Sequence, residues 1–329
     1  MKVIDFHNHY YPPAFLDALN KEQDGPIRVT VDADGNPVLH SPGDVNVAVR
    51  GHRDIEYRQE VLDGAGVDMQ VLTLTAPGTL LHPPDRALRH ARLVNDALAT
   101  IVRARKGRFT SLCTLPLHDT EGSVAELERA MTRLEFPGAM VFGNVLGTLL
   151  YEERFWPIWE RANALGAVVY IHPTYPLGVE AMEDYWLMPL VGFLFDTTLA
   201  AAGLVFSGVV RRFPKIRWVL GHLGGAIPYL AERLDRGFHA FKSCRAHIDR
   251  PPSEYLKEFY YDTVNFDPAA LRLAIEFAGH EQLLAGSDYP HQIGSIEQML
   301  ESIRGLGLSA EQEAAVLGGN AARLVGLTA

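Results

Sequence analysis

The sequence predicts a (β/α)8 barrel. Three observations carry that reading. Short apolar runs alternate with amphipathic helical stretches through the whole chain. Those runs are apolar on both faces, as buried parallel strands are. Histidine or aspartate recurs at the ends of several of them. At 329 residues the chain is long for one domain, but α/β barrels reach this size undivided. The reading is therefore a single domain over residues 1–329, with an insertion at about 21–50. An open doubly wound sheet is the competing architecture, and it is disfavoured because no glycine-rich phosphate loop follows the first strand.

In chain order, the first strand is Val3-Ile4-Asp5-Phe6-His7-Asn8-His9. Tyr10-Tyr11-Pro12-Pro13 closes it, since proline cannot continue a ladder, and a short helix is expected at 14–19. Residues 28–32 and 37–40 flank Ala33-Asp34-Gly35-Asn36, a hairpin signal. This makes a small β-hairpin insertion after strand one, placed over the mouth of the main domain. A helix near 54–63 leads into the alternating part of the chain. Strands are expected at 69–75, 109–115, 139–144, 167–172, 216–222, 259–265 and 283–288, which with the first make eight. Helices are expected at 86–103, 123–134, 152–165, 197–211, 228–237 and 268–277, with a last helix or pair over 296–327.

Composition narrows the function. The chain is 47% hydrophobic and 21% charged, enough apolar content for a large core. A net charge of −10 argues against a broad nucleic-acid surface, while leaving an anionic substrate open to locally placed arginines. Cys113 and Cys244 have no paired spacing, which favours a reducing cytoplasm over a disulfide scaffold or a thiolate site. No signal peptide is read ahead of the first strand, and no uncharged apolar run is read as long enough to span a bilayer. The expectation is a cytoplasmic protein without membrane or nucleic-acid partners.

Chemistry concentrates at the strand ends, where a barrel carries its active site. In the first strand, side chains alternate faces, so Asp5, His7 and His9 share one. Two imidazoles one step apart suit a single metal ion. Strand five ends Tyr170-Ile171-His172-Pro173, strand six Val219-Leu220-Gly221-His222, and strand eight Gly286-Ser287-Asp288-Tyr289-Pro290. The chain has 13 histidines, so some fall near strand ends by accident. Four at three such ends, with an aspartate at a fourth, point to one constellation at one mouth.

These motifs, together with Phe213-Pro214-Lys215, Gly221-His222-Leu223-Gly224-Gly225 and Gly319-Asn320-Ala321-Ala322-Arg323-Leu324, resemble the amidohydrolase superfamily. Within it they resemble the amidohydrolase-related branch, the aminocarboxymuconate-semialdehyde decarboxylase-like family. The resemblance covers nearly the whole chain and is specific to the family, not to a substrate. It implies a TIM barrel of the metal-dependent hydrolase type. It also implies one divalent metal held by His7, His9, His172 and Asp288, zinc in first place with manganese the alternative. His222 matches the histidine that acts as acid or base in the decarboxylases, with Asp288 as a second catalytic candidate. The lysine that many binuclear relatives carry at the end of strand four is missing from Ala139-Met140-Val141-Phe142-Gly143-Asn144, so a mononuclear site is implied.

By the same resemblance, Arg50 grips a substrate carboxylate, with Arg53 its rival. Arg233 is implied to reach the neighbouring subunit's site, making the working unit a homodimer or higher homo-oligomer; the alternative is a surface ion pair with Glu232 or Asp235. Trp186, beside Tyr185, is a candidate to stack on a planar substrate or to pack as a lid. Phe193-Leu194-Phe195-Asp196 stands where the family has a more polar turn, so a more apolar pocket wall is expected. The implied activity is non-oxidative decarboxylation of a small aromatic or unsaturated carboxylic acid. The alternative is hydrolysis of a lactone, ester or amide at the same site, with hydration of a double bond behind it. A barrel that binds metal or ligand without turnover is the reading from outside enzymology.

Overall fold

The computed structural model describes residues 2–22, 24–42 and 44–327; the outer limits of the expected domain, residues 1 and 328–329, lie outside them. Strand β1 (Ile4–His9) is buried along its whole length, and α1 (Pro13–Lys21) follows after the proline pair. The insertion then builds β2 (Arg28–Val31), β3 (Pro37–Ser41) and β4 (Asp44–Val47). They form an antiparallel sheet in the order β2-β3-β4. The expected hairpin thus gains a third strand, because the alternation of Asp44-Val45-Asn46-Val47 continues the pairing back onto β3.

The chain returns through α2 (Arg50–Arg53) and α3 (Ile55–Ala65). Asp54 separates them in an extended conformation and caps α3 by accepting from the Glu56 and Tyr57 amides. The barrel resumes with β5 (Met69–Thr73), α4 (Pro84–Ala104), β6 (Phe109–Ser111), α5 (Thr120–Arg133) and β7 (Gly138–Phe142). A two-residue ribbon, β8 (Asn144–Val145) with β9 (Thr148–Leu149), leads to α6 (Trp156–Leu165) and β10 (Val168–His172). Next come α7 (Phe193–Phe206), α8 (Val209–Arg212), β11 (Arg217–Leu220), α9 (Ile227–Ala240), α10 (Pro252–Leu256), β12 (Tyr260–Asp262), α11 (Pro268–Ala278) and β13 (Leu283–Leu284). The chain finishes with α12 (Ile296–Arg304), α13 (Ala310–Ala314) and α14 (Asn320–Leu324).

All eight barrel strands are parallel, in two arcs, β1-β5-β6 and β13-β12-β11-β10-β7. Single residues join the arcs. Cys113 donates to Gly138 O (2.9 Å) and accepts from Met140 N (3.0 Å), linking the end of β6 to β7. Phe6 N donates to Ala285 O (2.7 Å) and His9 N to Tyr289 O (2.8 Å), linking β1 to the chain beyond β13. The ring closes, so the strand tips face one mouth. One contiguous cluster of buried apolar side chains fills the barrel and the strand–helix layer.

The helical stretch after β10 bears on two expectations, and Asp196 keeps it from being an uncharged run. Met188–Phe206 is a continuous helical segment long and apolar enough, by length and composition, to cross a membrane. Its apolar surplus is divided: Ala200, Ala201, Leu204 and Val205 pack into the core, while Leu190, Phe195 and Leu199 face out. Phe195 therefore does not line the mouth. The buried member of its turn is Asp196, which accepts from Thr174 N (3.0 Å) and Asn144 Nδ2 (2.9 Å) and ties the tips of β7 and β10 together.

Candidate metal centre

His7, His9, His172 and Asp288 converge, with one ligand atom from each lying within 4.8 Å of the others, and all four residues are buried. Hydrogen bonds behind them fix which nitrogen faces inward. His7 Nδ1 donates to Asp262 Oδ2 at 2.6 Å, leaving the Nε2 lone pair to the cluster. His172 Nδ1 donates to the Pro173 carbonyl at 2.8 Å, and its Nε2 is buried with no partner. His9 Nε2 lies 3.1 Å from both His7 Nε2 and Asp288 Oδ1, and Asp288 Oδ1 lies 3.3 Å from His7 Nε2. Buried acceptor atoms aimed at one point without donors between them are what a cation corrects. The donor set, three imidazoles and a carboxylate, fits one divalent ion.

The electrostatics agree. Burial works against charge on His7, but Asp262 and then Asp288 outweigh it and push the imidazole up to about 10. Asp288 stays well below the usual carboxylate range, since His222, His7 and His9 overcome its burial. Burial holds His9 and His172 well below the usual imidazole value, with neighbouring histidines adding to it. Two carboxylates, Asp262 and Asp288, thus stand against the neutral imidazoles of His9 and His172, a charge balance that favours a cation among them.

His222 stands beside this cluster. Its Nε2 is 3.9 Å from Asp288 Oδ2, and its Nδ1 is buried without a partner. His222, Leu223 and Asp288 all have positive φ (52°, 56° and 58°), a conformation that costs about 1–3 kcal/mol per non-glycine residue and persists only where neighbours enforce it. Asp262 does so at the β11 tip by accepting from the His222 and Leu223 amides, both at 3.0 Å. The β13 tip is held by Asp5, which accepts from Ser287 N (3.0 Å) and Oγ (2.6 Å).

The expected substrate-binding residues Arg50, Arg233 and Trp186 lie outside the cluster within this chain, as Arg233 should if it serves a neighbouring subunit. Arg50 is turned to solvent, 60% exposed, with Nε on Asp54 at 2.9 Å and its guanidinium over Tyr57. Arg53 bonds the Ala48 carbonyl and Asn36, fastening the insertion. The arginine that is buried is Arg58, whose donors all go to Gly51 O, Asn8 Oδ1, Gln70 Oε1 and His9 O. It is a strut under β1 with nothing left for a substrate. Trp186 is 68% exposed, carried outward with Tyr185 by two successive positive φ angles. Arg233 is exposed on α9. Neither expected partner holds it, since Glu232 pairs with Arg236 and Asp235 accepts from Ser253.

Four site residues escaped the sequence reading. Asp262 gave only the weak signal of an acid at an apolar strand end. His291 lies 4.8 Å from His9 ring to ring, and His52 lies 5.0 Å from His291 with both nitrogens buried and unpartnered. Tyr170 donates to Asp262 Oδ2 at 3.0 Å. Beside the mouth, an apolar groove of about 250 Å³ runs between Pro42, Leu80, Leu81, Tyr175 and Leu177, with Asn144 and Thr174 at its floor.

Comparison with known proteins places this geometry. The family model described as Amidohydrolase matches residues 4–327. A 2-amino-3-carboxymuconate-6-semialdehyde decarboxylase from Dictyostelium discoideum is 35% identical over 83% of this chain and 77% of its own. The crystal structure of 5-carboxyvanillate decarboxylase from Sphingomonas paucimobilis superposes with a TM-score of 0.87 at 29% identity, covering 99% of each chain. A dihydroxybenzoic acid decarboxylase from Polaromonas sp., with bound manganese and the inhibitor 2-nitroresorcinol, gives 0.84 at 26% identity, covering 99% of this chain and 97% of its own.

Proposed function

The chain belongs to the amidohydrolase family, and from that premise we propose that it is a metal-dependent, non-oxidative decarboxylase of a small aromatic carboxylic acid. The observation that carries the reading is the buried His7–His9–His172–Asp288 cluster with His222 Nε2 3.9 Å from Asp288. Strand β7 and the residues up to Asn144 offer no lysine for a second ion. Zinc suits three imidazoles and a carboxylate best; manganese, bound in the Polaromonas structure, is the other outcome of a metal assay. When bound, the ion supplies Lewis-acid polarisation of the substrate's oxygens.

The chain's own residues do the rest. His222 stands beside the ionised Asp288, its Nε2 3.9 Å from Oδ2, and is the group that delivers a proton to the ring carbon bearing the carboxylate, with Asp288 as the adjacent base that passes the next proton on. The bond to the carboxylate then breaks, its electron pair returns to the ring, and carbon dioxide leaves. The unpartnered nitrogens of His52, next to His291, offer hydrogen bonds to substrate oxygens. The apolar groove suits a flat ring.

A homodimer completes the site in this reading. Leu190, Phe195, Leu199 and Trp186 are exposed apolar side chains on or just before α7, and Tyr229 adds to them on α9. Arg233, exposed on α9 with no ion pair among the described residues, is the group offered across the interface to a substrate carboxylate. Mixing Arg233→Ala chains with His172→Ala chains tests this, since recovered activity requires one intact site built from two chains. The free thiols of Cys113 and Cys244 support a cytoplasmic setting.

The decisive assay follows carbon dioxide separately from acid release on metal-replete protein, across hydroxybenzoates, pyridine carboxylates, muconates and lactones. Carbon dioxide that a chelator abolishes supports the decarboxylase. Acid release without carbon dioxide would transfer the same site to hydrolysis.

A further inference from the structure

Among the described residues, one other group of ligand-type side chains converges, Glu22, His82 and His90. We propose that these three residues form a second divalent metal site, of the zinc class, on the rim of the barrel. Glu22 follows the end of α1, His82 closes the loop after β5, and His90 lies on α4. An ion held there would cross-link three segments.

Distance and burial carry the assignment. The His82 side chain is fully buried, and neither of its nitrogens has a hydrogen-bond partner. Its Nδ1 stands 3.6 Å from Glu22 Oε2, too far for a hydrogen bond. That separation is near the ~3.3 Å between two ligands of a tetrahedral ion with bonds of ~2.0–2.1 Å. His90 Nε2 lies 2.8 Å from Glu22 Oε1, and all the candidate atoms lie within 4.8 Å of one another. Two imidazoles and a carboxylate make a three-ligand set with a fourth position for water.

The surroundings favour a cation. His82 is buried with neither ring nitrogen hydrogen-bonded, so the nitrogen of its imidazole that carries no proton is free to ligate. Arg86 lies 3.5 Å from Glu22 and 3.4 Å from Asp24, which sets two carboxylates against one guanidinium. His118 donates from Nε2 to the His82 carbonyl at 2.8 Å and fixes the loop. A purely structural role accounts for the His90–Glu22 bond that ties α4 to the end of α1. It does not account for His82, an imidazole buried beside a carboxylate it does not bond.

The test is metal content. Full-length protein is stripped with a chelator, reloaded in buffered zinc, desalted and counted by mass spectrometry. Cobalt loading in parallel reads the geometry from its visible absorption. Two equivalents per chain are expected in the wild type. One is expected in His82→Ala/His90→Ala and in Glu22→Gln, whose amide oxygen still accepts from His90 and so protects the fold. All variants should keep carbon dioxide release within about twofold, as expected of residues outside the site already described. One equivalent in the wild type, or two that persist in Glu22→Gln, would overturn the proposal.

Discussion

Replacing Asp262 by asparagine separates the shape of the site from its charge. Oδ2 of Asp262 accepts from His7 Nδ1 (2.6 Å), Tyr170 OH (3.0 Å) and His222 N (3.0 Å), and Oδ1 accepts from Leu223 N and Val264 N, both at 3.0 Å. Asparagine brings one oxygen and one NH2 group into that ring of donors. In either orientation at least two buried donors then meet another donor, at about 1–3 kcal/mol each, so about 2–6 kcal/mol of stability should be lost. The loss of charge reaches the metal as well. His7 would no longer be held in its tautomer by a carboxylate, and disturbing such a partner typically weakens metal binding about 10–100-fold. Tyr170→Phe is the control: it removes one of the five bonds and leaves His7–Asp262 intact, for about 0.5–1.5 kcal/mol. Urea unfolding reads the first quantity and competition with a chromophoric chelator the second. If Asp262→Asn held its metal within about twofold of the wild type, the orienting role argued for Asp262 would be wrong.

Three further outcomes are expected. Chelation should abolish carbon dioxide release and lower the unfolding midpoint, since metal at a hundred times its Kd stabilises the folded chain by about 2.7 kcal/mol; calorimetry with and without chelator checks it. Arg50→Ala should leave both stability and KM nearly unchanged, because the side chain is exposed and its one ion pair is with Asp54, whereas Arg58→Lys should cost about 2–4 kcal/mol by orphaning buried acceptors. Asp196 is pushed up to about 6, chiefly by burial. The folded chain therefore takes up this proton between pH 6 and the ordinary carboxylate value while the unfolded chain does not, and stability rises as pH falls through that window. Asp196→Asn should remove this increment, so the wild type should gain on the variant between pH 7.5 and 4.5 in unfolding titrations.

What the sequence made legible follows from what strand periodicity can and cannot carry. A buried parallel strand announces itself by an apolar run, and the residues at and just beyond its end face the mouth. His7, His9 and His172 at the ends of β1 and β10, with His222 and Asp288 two and four residues past β11 and β13, could therefore be placed together from sequence, and the convergence of His7, His9, His172 and Asp288 on one point needed only barrel closure. The directions of Arg50 and Arg58 were not legible, because a break in the helix sets them. Along one unbroken helix, positions 50 and 58 would keep a fixed angular relation, but the extended backbone of Asp54 ends α2 and restarts α3. That break sends Arg50 outward while Arg58 packs beneath β1, and nothing in residue type distinguishes the two. Trp186 is carried to the surface of this chain by its backbone: successive positive φ angles at Tyr185 and Trp186 are rare for aromatic residues and leave no compositional mark. His52 and His291 lie in a four-residue helix and a loop, where no repeat converts spacing into direction. Their roles depend on a fold that closes β1 against Tyr289 and so brings the two segments face to face.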